Sequence, residues 1–106
     1  MQISAGALDF EWMGDWAQLP SADSVARGWA HHGAAFSTEG QIVTFHPTES
    51  LVVILTTDGK LVRSFKVTVI EAHGLTLATH GCIQSIWLAD NGRKRDPDHD
   101  YEYMPD

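Results

Sequence analysis

The sequence predicts an all-β protein built from antiparallel β-propeller blades, one of them complete and the other partial. Residues 32–40 and 73–81 each begin with His-Gly and end with glycine, and the two segments are 41 residues apart. Each is followed by short apolar runs of strand length. A repeat of about 40 to 50 residues made of short strands is typical of propeller blades.

The first blade is predicted from four strand-like runs. These are residues 34–36, 41–46, 51–55 and 61–67. The third run is continuously apolar, which favours a strand buried on both faces between packed layers. The fourth run alternates apolar and polar residues, and Asp58 with Gly59 before it favours a tight hairpin turn. Four short antiparallel strands are the content of one blade.

The second blade begins at Glu71 and is predicted to be incomplete. Its expected strands are residues 75–77 and 83–88, followed by a turn at Asn91 and Gly92. Residues 93–106 are mostly charged and are predicted to form a mobile tail rather than two outer strands. Residues 28–92 are therefore assigned to the blades, and one sheet edge is left unpaired.

Residues 1–27 are predicted to be a lead-in segment that covers an exposed edge or interface. Trp12 and Trp16 are four residues apart, which would place both rings on one side of a helical turn. Residues 20–23, with the sequence Pro-Ser-Ala-Asp, favour a break after that turn.

The composition limits the classes of partner. A net charge of −7 with seven Lys and Arg opposes nucleic acid or an anionic membrane, because both need a basic face. The N-terminus lacks the basic and apolar regions of a signal peptide, and no run of 18 apolar residues occurs. We expect a cytoplasmic protein, or an extracellular one if the chain is a piece of a longer protein. The single cysteine, Cys82, forms no intrachain disulfide, and its apolar neighbours predict a buried thiol.

Four motifs carry a resemblance to a known class of proteins. They are His-Gly-Ala-Ala-Phe at 32–36, Gly-Gln-Ile-Val-Thr-Phe-His at 40–46, His-Gly-Leu-Thr-Leu at 73–77 and Ile-Trp-Leu-Ala-Asp-Asn-Gly at 86–92. Together they resemble the six-bladed propellers of the NHL-like class, and within it the peptidyl-α-hydroxyglycine α-amidating lyases and their bacterial relatives. The likeness covers residues 28–92 and corresponds to the first third of such a propeller.

The resemblance implies metal sites on the propeller axis. In that family, histidines at the starts of different blades hold zinc, so His73 is the implied ligand here and His32 is its equivalent in the first repeat. A calcium ion takes backbone carbonyl oxygens at the positions that match Ala34 and Leu75, and such oxygens suit a hard cation. The position of the family's catalytic arginine is Pro47 here. We therefore expect no lyase activity from this chain alone.

Two further positions are candidates for binding. Asp90 precedes an Asn-Gly pair, so its carboxylate either binds a cation at the end of a blade or belongs to a tight turn. Trp87, with Tyr101 and Tyr103, either forms a binding surface or serves packing. His46, next to a proline, is predicted to be a strand-end residue.

The expected function is that of a non-catalytic binding or assembly module. About one and a half blades do not close a ring, so we expect self-association, with a cyclic trimer as one arrangement, or completion by the rest of a longer propeller. One alternative is a subunit or fragment of a zinc-dependent lyase or hydrolase with an axial metal site. Another is an unrelated small β-sandwich interaction domain, which would be a stable monomer.

Overall fold

The computed structural model describes residues 1–28, 32–95 and 102–103, and the chain is mostly β with one short helix. The elements are β1 (Gln2–Ala5), β2 (Leu8–Glu11), α1 (Ala22–Ala26), β3 (Ala35–Phe36), β4 (Ile42–Phe45), β5 (Leu51–Leu55), β6 (Leu61–Lys66), β7 (Ala72–His80), β8 (Ile83–Asp90), β9 (Lys94–Arg95) and β10 (Glu102–Tyr103). They form small antiparallel sheets, as the sequence predicts.

The first sheet contains the four strands predicted between residues 34 and 67. Its order is β3-β4-β5-β6, so each strand pairs with the next one along the chain. Gly40 and Gly59 lie in its tight turns with φ of 74° and 84°, a region that glycine enters without steric cost. The strand bounds differ from the predicted ones by no more than a residue or two at each end.

The second sheet is the hairpin of β7 and β8, and both strands are longer than predicted. The alternation of Leu75, Leu77 and the residues between them continues to His80, which extends the pairing to the turn. Residues 81–82 form that turn, with Gly81 at φ 61°. Cys82 is therefore exposed at the hairpin tip, and the prediction of a buried thiol is wrong.

The two sheets pack face to face through one apolar core. Residues of β4 and β5, including Val43, Phe45 and Val52, form this core with Ala72 of β7. The second sheet contributes Leu75, Leu77, Ile86 and Leu88. These side chains alternate with exposed ones along β7 and β8, which is the pattern of a sheet with one face on a core.

The opposite face of the first sheet is covered by the lead-in segment. Leu51, Val53 and Leu55 form a second core with Trp16 and Leu19 packed against it. Strand β5 is thus buried on both faces, as its continuous apolar run predicts, and Val53 is 0% exposed.

The start of the lead-in differs from the prediction. Residues 2–5 and 8–11 form a hairpin around Gly6, which has φ 64°, and the helix lies at 22–26, where a break was expected. Trp12 is exposed whereas Trp16 is half-buried, so the two rings do not share one helical face. Alternation of apolar and polar residues along 2–11 favours strands over the helical spacing of two tryptophans.

The tail is partly described. Within the segment predicted to be mobile, β9 pairs with β10 through Lys94 with Tyr103 and Arg95 with Glu102. The remaining tail residues lie outside the described part of the chain. In the described part, no helix has the length and apolar character needed to cross a membrane.

Substitution of Gly59 tests the contact between the lead-in and the first sheet. A Cβ at Gly59 would collide with the Trp16 carbonyl group, whereas a Cβ at Gly40 meets open space. Gly40→Ala should lower the free energy of unfolding by about 1 kcal/mol, the cost of a left-handed alanine. Gly59→Ala should lower it by about 3 kcal/mol, because the collision adds to that cost. Urea unfolding followed by tryptophan fluorescence measures both. Equal losses would show that Trp16 does not lie on this turn.

Candidate functional site

The first strands of the two sheets approach each other at the residues expected to lie on an axis. A Cβ built on Gly33 would lie 3.4 Å from the backbone nitrogen and 3.5 Å from the carbonyl oxygen of Leu75. The absence of a side chain at Gly33 permits this close approach. The segment before β3 therefore runs beside the start of β7, and His32 and His73 lie close in sequence to the two contacting residues.

His32 is half-buried and is held by Thr44 and Phe45. The Thr44 hydroxyl donates to the Gly33 carbonyl oxygen over 3.1 Å, so its oxygen is left to accept from Nδ1 of His32 at 3.3 Å. The imidazole ring meets the Phe45 ring edge to face, with the centroids 5.9 Å apart. These contacts fix the orientation of the His32 ring beside β4.

His73 lies at an irregularity in the β7–β8 pairing. Ala72 pairs with Asp90 and Gly74 with Ala89, so His73 is an extra residue on its strand. Such a bulge changes the direction of a side chain. Ala72 is completely buried, whereas His73 is exposed.

The donor groups of one chain do not by themselves fit the expected metals. Across residues 1–28, 32–95 and 102–103, no three His, Cys, Asp or Glu side chains are grouped to hold a metal ion. A catalytic zinc takes three protein ligands, whereas the resemblance implies two histidines of this chain. For calcium, Ala34 and Leu75 would supply two carbonyl oxygens of the six to eight that this ion takes.

His46 lies between the end of β4 and Pro47, in the β4–β5 loop, and it connects several parts of the structure. His46 is 1% exposed. Its Nδ1 accepts hydrogen bonds from the backbone N–H groups of Thr48 at 3.1 Å and Glu49 at 2.9 Å. Its Nε2 therefore carries the proton and donates to the Pro20 carbonyl oxygen at 2.9 Å. His46 is indeed at a strand end, but it also joins the lead-in to the sheet. The sequence signal was a polar ring placed between a buried Phe and a proline turn.

Asp90 connects the segment before β7 to the turn after β8, at the open end of the hairpin. Its carboxylate accepts hydrogen bonds from the backbone N–H groups of Ile70 at 2.9 Å, Glu71 at 3.1 Å and Gly92 at 3.0 Å. Loss of hydration raises the pKa of Asp90, but the three amide hydrogen bonds outweigh it and leave the pKa below its ordinary value of 3.8. The carboxylate is thus used within the fold, in the manner of a turn residue.

Trp87 lies on the face of the second sheet that is turned away from the first. It is 65% exposed and pairs with Thr76 across the hairpin. A shallow depression beside it is lined by Gly74, Leu75 and Ala89. Tyr101 and the side chain of Tyr103, its suggested companions, lie outside the described residues.

A larger cleft opens between the two sheets at the end near Cys82. Its volume is about 430 Å³, and its walls include Val43 and Ile54 from the first sheet and Leu77 and Ile86 from the second. The Gln84 side chain crosses it and accepts a hydrogen bond from the Thr38 N–H at 3.2 Å. The cleft exists where the two-stranded sheet does not cover the whole face of the four-stranded one.

No protein family, curated protein or solved structure was found to match this chain.

The acid dependence of stability tests the role of Asp90. Its folded-state pKa is lowered, so its contribution to stability is present above the unfolded value near 3.8 and is lost as the pH falls through the lower folded-state pKa. Asp90→Asn should therefore be less stable than the wild type at pH 6, and the difference should close between about pH 5 and pH 2. Thermal unfolding across this range measures it. Asp15→Asn, in an exposed turn, corrects for the loss of one charge. A difference that is constant with pH would contradict the assigned hydrogen bonds.

Proposed function

We propose that the chain is a non-catalytic assembly module of the NHL-like propeller class, in which copies of the chain close a ring of blades. The observation that carries the proposal is the packing of the two sheets. They lie face to face through one core, and the segment that leads into β3 runs beside β7 at Gly33 and Leu75. Blades around an axis require both features, because their innermost strands converge.

The strand order also supports this reading over a β-sandwich. The first sheet is a simple meander in chain order, and the chain then starts the second sheet at the strand beside β3. Most sandwiches instead have Greek-key connections, in which a strand returns across the sheets. The outer face of the second sheet exposes Ile83 and Trp87, and in a ring this face meets the next copy.

The lead-in forms the surface of the next copy that faces the second sheet in the proposed ring. Trp16 and Leu19 cover the face of the first sheet on which a preceding blade would otherwise pack. In the proposed ring, the neighbour of the second sheet is therefore the lead-in of the adjacent copy. With two sheets from each chain, three copies give six, the number in the family that the motifs resemble.

Catalysis by one chain is disfavoured by its own residues. Pro47 stands at the position of the family's catalytic arginine and has no side-chain group that donates or accepts a proton. The carboxylate of Asp90 accepts three backbone hydrogen bonds. A binding or assembly role fits these groups better than an acid–base role.

A second candidate is a zinc-holding assembly. It is favoured by the position of His32 and His73 near the contact of the two first strands, because rotation about an axis would bring copies of these residues together. In this case zinc belongs to the assembled ring, and His73→Ala should abolish its binding while the ring remains.

Native mass spectrometry of the purified chain tests both candidates. We expect a complex of three times the chain mass of 11.7 kDa. Bound zinc in that complex, absent from the His73→Ala variant, would identify the second candidate. A monomer at every concentration would overturn the ring and favour a self-contained β-sandwich.

A further inference from the structure

The N-terminal hairpin has one apolar face and one polar face. In the β1–β2 register, Ile3 lies opposite Phe10 and Ala5 opposite Leu8, so these four share a face. The other face carries Gln2, Ser4, Asp9 and Glu11. Strand pairing continues at the open end of the hairpin, since the Trp12 N–H donates to the Met1 carbonyl oxygen at 2.7 Å.

The apolar face of the hairpin is exposed in the single chain. Phe10 is 52% exposed, Leu8 62% and Trp12 65%, and every residue of both strands is exposed. An isolated two-stranded hairpin is marginally stable in water, and a contiguous apolar patch on a protein surface marks an interaction site. The contacts that stabilise this hairpin therefore come from a second molecule.

The second sheet has two strands fewer than the first, and the N-terminal hairpin has two strands. In the described part of the chain the second sheet has two strands, whereas the sheet packed against it has four. Among the described residues neither outer edge of the second sheet pairs with another strand, but the Gly33 segment lies against the β7 backbone, so the edge of β8 is the more accessible one. On the part of the first sheet that the second sheet leaves uncovered, Val62 of β6 is exposed and lines the cleft of about 430 Å³ between the sheets. An open strand edge accepts further strands from another chain.

The charges identify the second molecule as another copy of this chain. Three of its seven Lys and Arg, at 93–95, directly follow β8, whereas the polar face of the hairpin carries Asp9 and Glu11. If β1 pairs antiparallel with β8, the end of the hairpin that contains Glu11 lies near Arg93. Arg93 is the residue that we assign to this contact, because it is the nearest of the three in sequence to the end of β8.

We propose that the β1–β2 hairpin of one copy adds to the β8 edge of a second copy and completes a four-stranded sheet there. Ile3, Leu8 and Phe10 then turn towards β6 and fill the open side of the cleft. The donor and acceptor surfaces are different, so the contact is heterologous and repeats around a closed ring. This inference rests on the proposed assembly and names the contact that holds it together.

Two sets of full-length variants test the contact. Phe10→Asp places a charge on the apolar face and should convert the assembly to monomers in sedimentation velocity. Met13→Asp changes an apolar residue that is also largely exposed but lies beyond the hairpin strands, and it should leave the assembly in place. Phe10 is outside both cores, so the monomeric Phe10→Asp variant should still unfold in a cooperative thermal transition.

A charge exchange tests the direction of pairing. Glu11→Arg and Arg93→Glu should each weaken association by about threefold to tenfold, and the double variant should recover most of that loss. A wild-type assembly that Phe10→Asp leaves intact would overturn the hairpin contact while the ring stands. A monomeric wild type would overturn the ring and the contact with it. Failure of the double variant to recover would overturn the antiparallel β1–β8 pairing.

Discussion

Strand β5 is apolar on both faces, and the rest of the structure is arranged to cover it. One face of β5 carries Leu51, Val53 and Leu55, and the other carries Val52 and Ile54. Each face has to be covered by a separate layer. A single sheet exposes one of its faces to water, so such a strand is stable only inside a layered structure. The second sheet supplies one layer and the lead-in supplies the other.

The lead-in is fixed to the first sheet by polar contacts at both ends of β5. Near its start, His46 joins the loop amides to the Pro20 carbonyl oxygen. Near its end, the Gln18 N–H donates to the Gly59 carbonyl oxygen at 2.8 Å. Because His46 is fully buried, its three hydrogen bonds also remove the cost of placing a polar ring in the core. The hydrogen bonds of Gln18 and Pro20 therefore hold the lead-in where Trp16 and Leu19 pack on the second core.

The strands that have a clear pattern of apolar residues within their own sequence could be predicted. The continuous run of β5, the alternation of β6 and the Asp-Gly turn between them each have a local physical cause. The N-terminal hairpin could not be predicted in the same way, because two tryptophans at helical spacing competed with alternation along short strands. Cys82 was misplaced because the apolar residues around it belong to a strand that starts one residue later. The two repeated His-Gly segments do lie near each other, since Gly33, before β3, approaches Leu75 of β7. The role of His46 depends on Pro20, which is 26 residues away, and no local pattern reports such a contact.

The surfaces that remain exposed are as informative as the cores. One chain covers both faces of its central strand but exposes an apolar hairpin, an open β8 edge and Trp87. The hairpin and the β8 edge are explained if the second sheet is finished by strands of another copy, and Trp87 lies on the face that meets the next copy in the proposed ring. Hydrogen–deuterium exchange of the purified wild-type chain measures this most directly. We predict slow exchange of the β8 amides and of residues 2–11, comparable with that of β4. Fast exchange of the hairpin and the β8 edge beside a protected β4–β5 pair would show that each chain stands alone.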